Sequence, residues 1–268
     1  MKKLCLIAIL AVFLNILPAS VFAAETITGA VKEDALTGKH QVIDAYSGAP
    51  IGGAKVTIPS LGIKTTTDAN GNFELKTNIN KQVILSVEKG GYRPFSITID
   101  KANTGSPMKL GIETAKSGDI TIESSLCHLG DDNFSPNSAN SGDFKAKAMG
   151  PFLTKRFDFG VLNKGEGAVL VIGSVVGLDT KLAKEMGQNQ IASVWASPAE
   201  IFFNGQKIGE LHINGDNQEV PIPSQLVKQN NEITIKTGRN LFQHAYIDYD
   251  DIEIMNIRIE RRTKIVEY

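Results

Sequence analysis

The residues whose types could do chemistry fall on two segments far apart in the chain. One is Cys127-His128-Leu129-Gly130-Asp131-Asp132-Asn133, the other Asp248-Tyr249-Asp250-Asp251. If the fold brings them together, Asp131, Asp132, Asp248, Asp250 and Asp251 converge. Such crowding of carboxylates is costly unless a cation sits among them. A hard divalent ion with oxygen ligands answers that need, and Ca²⁺ suits irregular loops. In an extended stretch Asp248 and Asp250 share a face while Asp251 points away. The expected ligands are therefore Asp131, Asp132, Asp248 and Asp250, with Asp251 in reserve. The plainer reading is a pair of solvated, Asx-type turns. A catalytic pair is not expected, because glycosidases set two carboxylates facing each other across a sugar, one with a raised pKa. The chain has no Gly-x-Ser-x-Gly elbow, His-Glu-x-x-His helix or phosphate loop. It is expected not to be an enzyme.

Just before the second acidic run lies Arg239-Asn240-Leu241-Phe242-Gln243-His244-Ala245-Tyr246. Sugars are bound by such mixtures. A ring stacks on the apolar face of the pyranose, and planar polar groups take its hydroxyls. Arg239, Phe242, Gln243, His244 and Tyr246 are the candidate ligand residues, together with Trp195, the single tryptophan. The competing reading makes Phe242, Tyr246 and Trp195 buried anchors. Cys127-His128 could be a redox or soft-metal pair, but His40, His212 and His244 show no ligand spacing with it. A free cysteine is usually a buried hydrophobe. An unpaired one could also link two chains.

These segments must be held by strands. In the first part of the chain apolar residues recur at every second position: Val56 with Ile58, Phe73 with Leu75, Val83-Leu85-Val87, and Phe95-Ile97-Ile99. That period marks strands with one buried face. Ser47-Gly48-Ala49-Pro50, Asp68-Ala69-Asn70-Gly71 and Gly90-Gly91 supply the turns, and Asn70-Gly71 suggests a tight hairpin. A last short strand surrounds Met108-Leu110-Ile112, and a Lys-Ser-Gly break follows. The second part has strand candidates at 120–123, 156–159, 168–176, 200–203, 207–213, 219–222, 232–236 and 252–260. Asn204-Gly205 reads as a primed two-residue hairpin turn, and Gly215-Asp216-Asn217 as another turn. Ser224–Gln229 is expected to make one helical turn, and Leu178–Met186 a short helix on an insertion near 177–190. Ile252 and Ile254 alternate out of step with Ile257 and Ile259, which a β-bulge near Met255-Asn256 would repair. The fold class is all-β, two β-sandwich domains.

Residues 39–115 resemble the carboxypeptidase regulatory-like domain, a small transthyretin-type sandwich. The resemblance is carried by Asp44 to Pro50 (DAYSGAP), Ile51-Gly52-Gly53-Ala54-Lys55-Val56, Thr67-Asp68-Ala69-Asn70-Gly71-Asn72-Phe73 and Gly90-Gly91-Tyr92. It implies an accessory or spacer module without catalytic residues. Residues 119–260 resemble galactose-binding-like jelly rolls, the fold of many carbohydrate-binding modules. Here the matching stretches are Ile201 to Gly209, Val220-Pro221-Ile222-Pro223, Asn231 to Ile235 and the acidic lead-in to the last strand. That likeness implies antiparallel first and last strands with a structural calcium near them.

The ends add an address. Lys2 and Lys3, an apolar run from Leu4 to Leu17, Pro18 and the small-x-small Val21-Phe22-Ala23 read as a signal peptide over 1–23. The run is short for a membrane span. Residues 24–38 read as a linker and 261–268 as a basic tail. The whole sequence carries 28 basic and 29 acidic residues, with no basic stripe of the kind nucleic acid requires. With Cys127 the one cysteine after cleavage, no intramolecular disulfide is available. The expectation is an exported, periplasmic or extracellular, protein whose partner is carbohydrate or a cell-envelope component. The main alternative, a structural or assembly accessory of the envelope, predicts an exposed apolar patch or a free strand edge. A glycan-active enzyme is the remaining reading.

Overall fold

A computed structural model of the chain describes residues 40–75, 77, 79, 81–100, 106–130, 138–139, 144–177, 194–195, 198–237, 247–249 and 251–263. The expected short helix at Leu178–Met186 lies outside them. The protein is almost entirely β-structure, in sheets that pack as sandwiches.

The N-terminal sandwich uses β1 (His40–Asp44), β2 (Lys55–Ile58), β3 (Ile63–Thr66), β4 (Asn72–Phe73), β5 (Val83–Glu88), β6 (Phe95–Ile99) and β7 (Lys109–Ile112). One sheet has the order β4-β1-β7 and the other β3-β2-β5-β6. β1 runs parallel to β7 and antiparallel to β4. Val42, Val56, Ile58, Phe73, Leu85 and Ile112 belong to the shared core. The Asp68 turn is as tight as expected. Its carboxylate accepts the amides of Asn70 at 2.9 Å and Asn72 at 2.8 Å. Gly71 takes φ +75°, and a Cβ there would strike the Val42 carbonyl. The turn does not make a sheet hairpin, however: β3 and β4 lie in different sheets, so it carries the chain across the sandwich. Ala54, fully buried, lies close to Thr67, which accepts its amide at 2.8 Å.

The C-terminal sandwich uses β8 (Ile120–Glu123), β9 (Cys127–Leu129), β10 (Ser138–Ala139), β11 (Phe152–Asp158), β12 (Glu166–Gly177) and β13 (Val194–Trp195). It continues through β14 (Glu200–Phe203), β15 (Gln206–Glu210), β16 (Gly215–Ile222), β17 (Asn230–Lys236), β18 (Ile247–Tyr249) and β19 (Ile252–Thr263). The sheet β11-β17-β14-β15 packs against β16-β12-β19-β8, with β9 also on β19. Leu129, Leu170, Ile172, Ile201, Phe203, Ile235 and Ile254 are in the core of this sandwich. Asn204 and Gly205 both have positive φ, 50° and 82°, and join β14 to β15 as a primed turn. The turn expected in 224–229 is a single 3-10 turn at Ser224–Leu226.

The phase break in β19 is real, and it extends across the sheet. Asn256 has φ 59°, yet the register between β12 and β19 is continuous on either side of it. β12 breaks phase at the same row: Ala168, Leu170 and Ile172 face the core, then Val175. Gly173 stands opposite Asn256, and on its other side opposite Asn217, at φ 51°. The three adjacent strands β16, β12 and β19 therefore kink together. A register shift does occur, against β8, between Ile257 and Arg258. The turn expected at Gly215–Asn217 is accordingly the start of paired strand β16.

Candidate functional site

The antiparallel pairing expected of first and last strands is present, and it fixes the roots of both acidic segments. β8 and β9 both run antiparallel to β19. Leu129 pairs with Ile252, so Gly130 lies against Asp251. Gly130 has φ 146°, and a Cβ on it would collide with the Asp251 carboxylate. Only glycine lets the two strand ends approach this closely.

Asp251 is buried, 1 % exposed, and its Oδ1 lies 3.0 Å from His128 Nε2. The other ring nitrogen, Nδ1, donates to the Ala146 carbonyl. A carbonyl only accepts, so Nδ1 carries a proton. Nε2 then faces a carboxylate oxygen, and the contact needs a second proton between them. The pair thus holds imidazolium with carboxylate, or its neutral equivalent. The Phe144 ring meets the His128 ring edge-on, with centroids 5.0 Å apart. Opposite His128 on β19 stands Glu253, 2 % exposed. Burial pushes its carboxyl pKa up, while the positive fields of His128 and Lys81 pull the other way. Glu253 sits between Ile252 and Ile254, where alternation reads as a solvent-facing position. Neither it nor His128 was expected to be a buried ionisable group.

Cys127 takes no part in this cluster. It is buried in the sandwich core, and burial pushes its thiol up to about 11. The thiol is thus a hydrophobe, which removes the basis for a redox pair with His128 or a bridge between chains.

β10, β18 and β13 form a small parallel ribbon. Asp248 holds the central register position, paired with Ser138 on one side and Trp195 on the other. Two residues singled out independently, an acid and the tryptophan, are thus register partners across the ribbon. Asp131, Asp132 and Asp250 lie outside the described residues, as do Arg239, Phe242, Gln243, His244 and Tyr246. Elsewhere, a cleft of about 650 Å³ is lined by Lys55, Glu88, Tyr92, Pro94, Thr121 and Ser124. Its Lys55 and Glu88 are paired with each other at 3.0 Å.

Comparison with known proteins identifies the first part of the chain. Residues 37–122 match the CarboxypepD_reg-like domain family. The match spans β1 to β7 and most of β8, and so runs slightly beyond both ends of the expected 39–115. No curated protein matches the sequence. Among solved structures, a protein in complex with neoagarooctaose is 11 % identical with a TM-score of 0.29, covering 81 % of this chain. A β-porphyranase of glycoside hydrolase family 86 from Bacteroides plebeius is 8 % identical, TM-score 0.29, covering 77 %. The chain spans only 27 % and 40 % of those two. A candidate carbohydrate-binding protein from Bacteroides uniformis is 10 % identical, TM-score 0.22, covering 84 % of this chain and 97 % of its own. These likenesses are too faint to transfer any property to this chain.

Proposed function

We propose that the protein is an exported, non-catalytic binding protein that takes carbohydrate at the loop end of its C-terminal sandwich, a jelly roll, with a structural calcium among the acids there. The observation that carries this reading is the ribbon, in which Trp195 shares the register position of Asp248. An aromatic platform beside acids and amides is what pyranose recognition needs. The closeness of Gly130 to Asp251 supports the calcium, because the stretches beginning at Asp131 and ending at Asp250 leave from neighbouring points. Asp251 Oδ1 is held by His128. That favours Asp131, Asp132, Asp248 and Asp250 as the oxygen ligands, braced from below by Asp251.

The test is a glycan array on the exported protein, with calcium and with chelator. Hits that weaken on chelation or on Trp195→Ala are expected. An array without hits sinks the ligand, and a melting midpoint unmoved by chelator, in protein shown to start with calcium, sinks the metal. N-terminal sequencing of protein recovered outside the cytoplasm should begin at Ala24; recovery with Met1 intact counts against export.

One observation favours a second reading, an accessory role in the envelope. β11 stands at the end of its sheet and pairs with β17 alone among the described strands. Met149 and Phe152, beside its start, are 55 % and 53 % exposed. An open edge beside apolar side chains is a template for pairing. Co-purification of a stoichiometric partner, lost on Phe152→Lys, would favour this role over glycan binding.

A further inference from the structure

A strand open to solvent on one face alternates in burial, and β2 and β17 do so. β5, β12 and β19 do not. Val83 to Val87 are all buried, as are Leu170 and Val171, Ile172 to Gly177, and Ile252 to Ile257. Their second faces meet each other. Ile84, from the outward face of β5, clusters with Val176 and Met255, flanked by Leu126 and Phe144. Asn256 Nδ2 donates to Ser86 Oγ at 3.3 Å, and Ser174 Oγ lies 3.0 Å from Ser96 Oγ. Asp216 Oδ1 accepts from Ser174 Oγ at 2.6 Å, from Thr98 Oγ1 at 2.8 Å and from the Thr98 amide at 2.9 Å. The last bond occupies the edge of β6. At the far end Arg93, 8 % exposed, binds Asp119 at 2.7 Å and Glu113 at 2.5 Å, with Glu260 at 3.5 Å.

The kinked row explains why the surfaces fit. Gly173 lies beneath Ser96, and a Cβ on it would strike the Ser96 hydroxyl and come within 2.8 Å of the Asn256 Cβ. The kink turns Met255 and Asn256 to the same side, against the N-terminal sandwich. The connection between the sandwiches is also pinned. The Ala115 amide donates to the Gly91 carbonyl, and the Lys116 amide to Asp119.

We propose that the outward face of β12 and β19 is an interaction surface whose obligate partner is the outward face of β5 and β6, so that the two sandwiches fold as one cooperative unit. The sequence resemblance implies a spacer; this seam makes the N-terminal sandwich the floor of the candidate site instead. Contacts run without a gap from Ile84 through the Leu126–Phe144 cluster to His128, and from His128 to Asp251 beneath Gly130. The inference does not depend on what the loops bind.

Scanning calorimetry and native-state hydrogen exchange on the full chain test it. Wild type should show one transition with equal calorimetric and van't Hoff enthalpies. Ile84 lies outside the N-terminal core cluster. Ile84→Ala should lower that single midpoint by about 5–10 °C. It should also speed amide exchange at Leu129 and Ile252 by the same factor as at Leu85. Gly173→Ala, made from the other side of the seam, should speed exchange at Leu85. Two resolved transitions in wild type overturn the proposal. So does an Ile84→Ala effect confined to the N-terminal sandwich. If Ile84→Ala does not fold, the wild-type calorimetry and Gly173→Ala decide.

Discussion

At the residue scale, charge and burial set what each group can do. Cys127 is the reactive residue type in the first acidic segment, yet its thiol is buried and its pKa pushed to about 11. A thiol reagent at pH 8 should leave Cys127 unlabelled in the native protein and modify it after denaturation, read by mass spectrometry of its peptide. Non-reducing electrophoresis should show no Cys127-linked dimer. Glu260 illustrates the opposite balance. Burial disfavours its charge, but hydrogen bonds from Arg262 and Arg258, with the field of Arg93, hold its pKa below the ordinary value. A lowered folded-state pKa contributes stability above the unfolded value, 4.5, and loses it as pH falls through the folded one. Glu260→Gln should therefore be less stable than wild type at pH 7, with the gap closing as pH falls from 4.5 through the lowered folded-state value. Urea midpoints across pH check this, and a gap that widens in acid would contradict it.

At the element scale, turns were the most legible feature. Asn204-Gly205 and Asp68 to Gly71 are local chemistry: left-handed backbone at asparagine or glycine, and a carboxylate accepting nearby amides. Gly71→Ala should destabilise by about 2–4 kcal/mol, from left-handed strain plus the clash with Val42. Equilibrium urea unfolding measures it, and a loss under about 0.5 kcal/mol would show that the turn relaxes freely. Long strands were legible too, because alternation repeats over enough residues to stand out. β3, β9, β10, β13 and β18 were not expected as strands. They are two to four residues long, too short for a period; β3 pairs locally with β2, and partners distant in sequence define the other four. Gly215–Asn217 misled for a related reason. Gly-Asp-Asn is turn chemistry, but here it serves a kink inside a paired strand.

At the scale of the whole molecule, the seam changes what the parts mean. Arg93 carries the test of its polar end. Arg93→Ala would leave the buried Asp119 carboxylate without its cation, while Glu260 keeps Arg258 and Arg262, at a cost of about 3 kcal/mol. The loss should appear equally in exchange at β5 and β19, and a loss confined to one of them would show the clamp to be local. The sequence by itself determined the all-β class, the match of residues 37–122 to a known sandwich family, the main turns, and the break in phase of the last strand. It did so because each is written in neighbouring residues, through period, turn chemistry or motif. Only the tertiary structure decided that Glu253 and His128 are buried, that Asp251 is held by His128, and that the break in β19 is matched in β12 and β16. Those outcomes depend on a second surface arriving from residues far away in the chain. An outward-facing glutamate between two isoleucines looks the same in sequence whether water or another sandwich covers it.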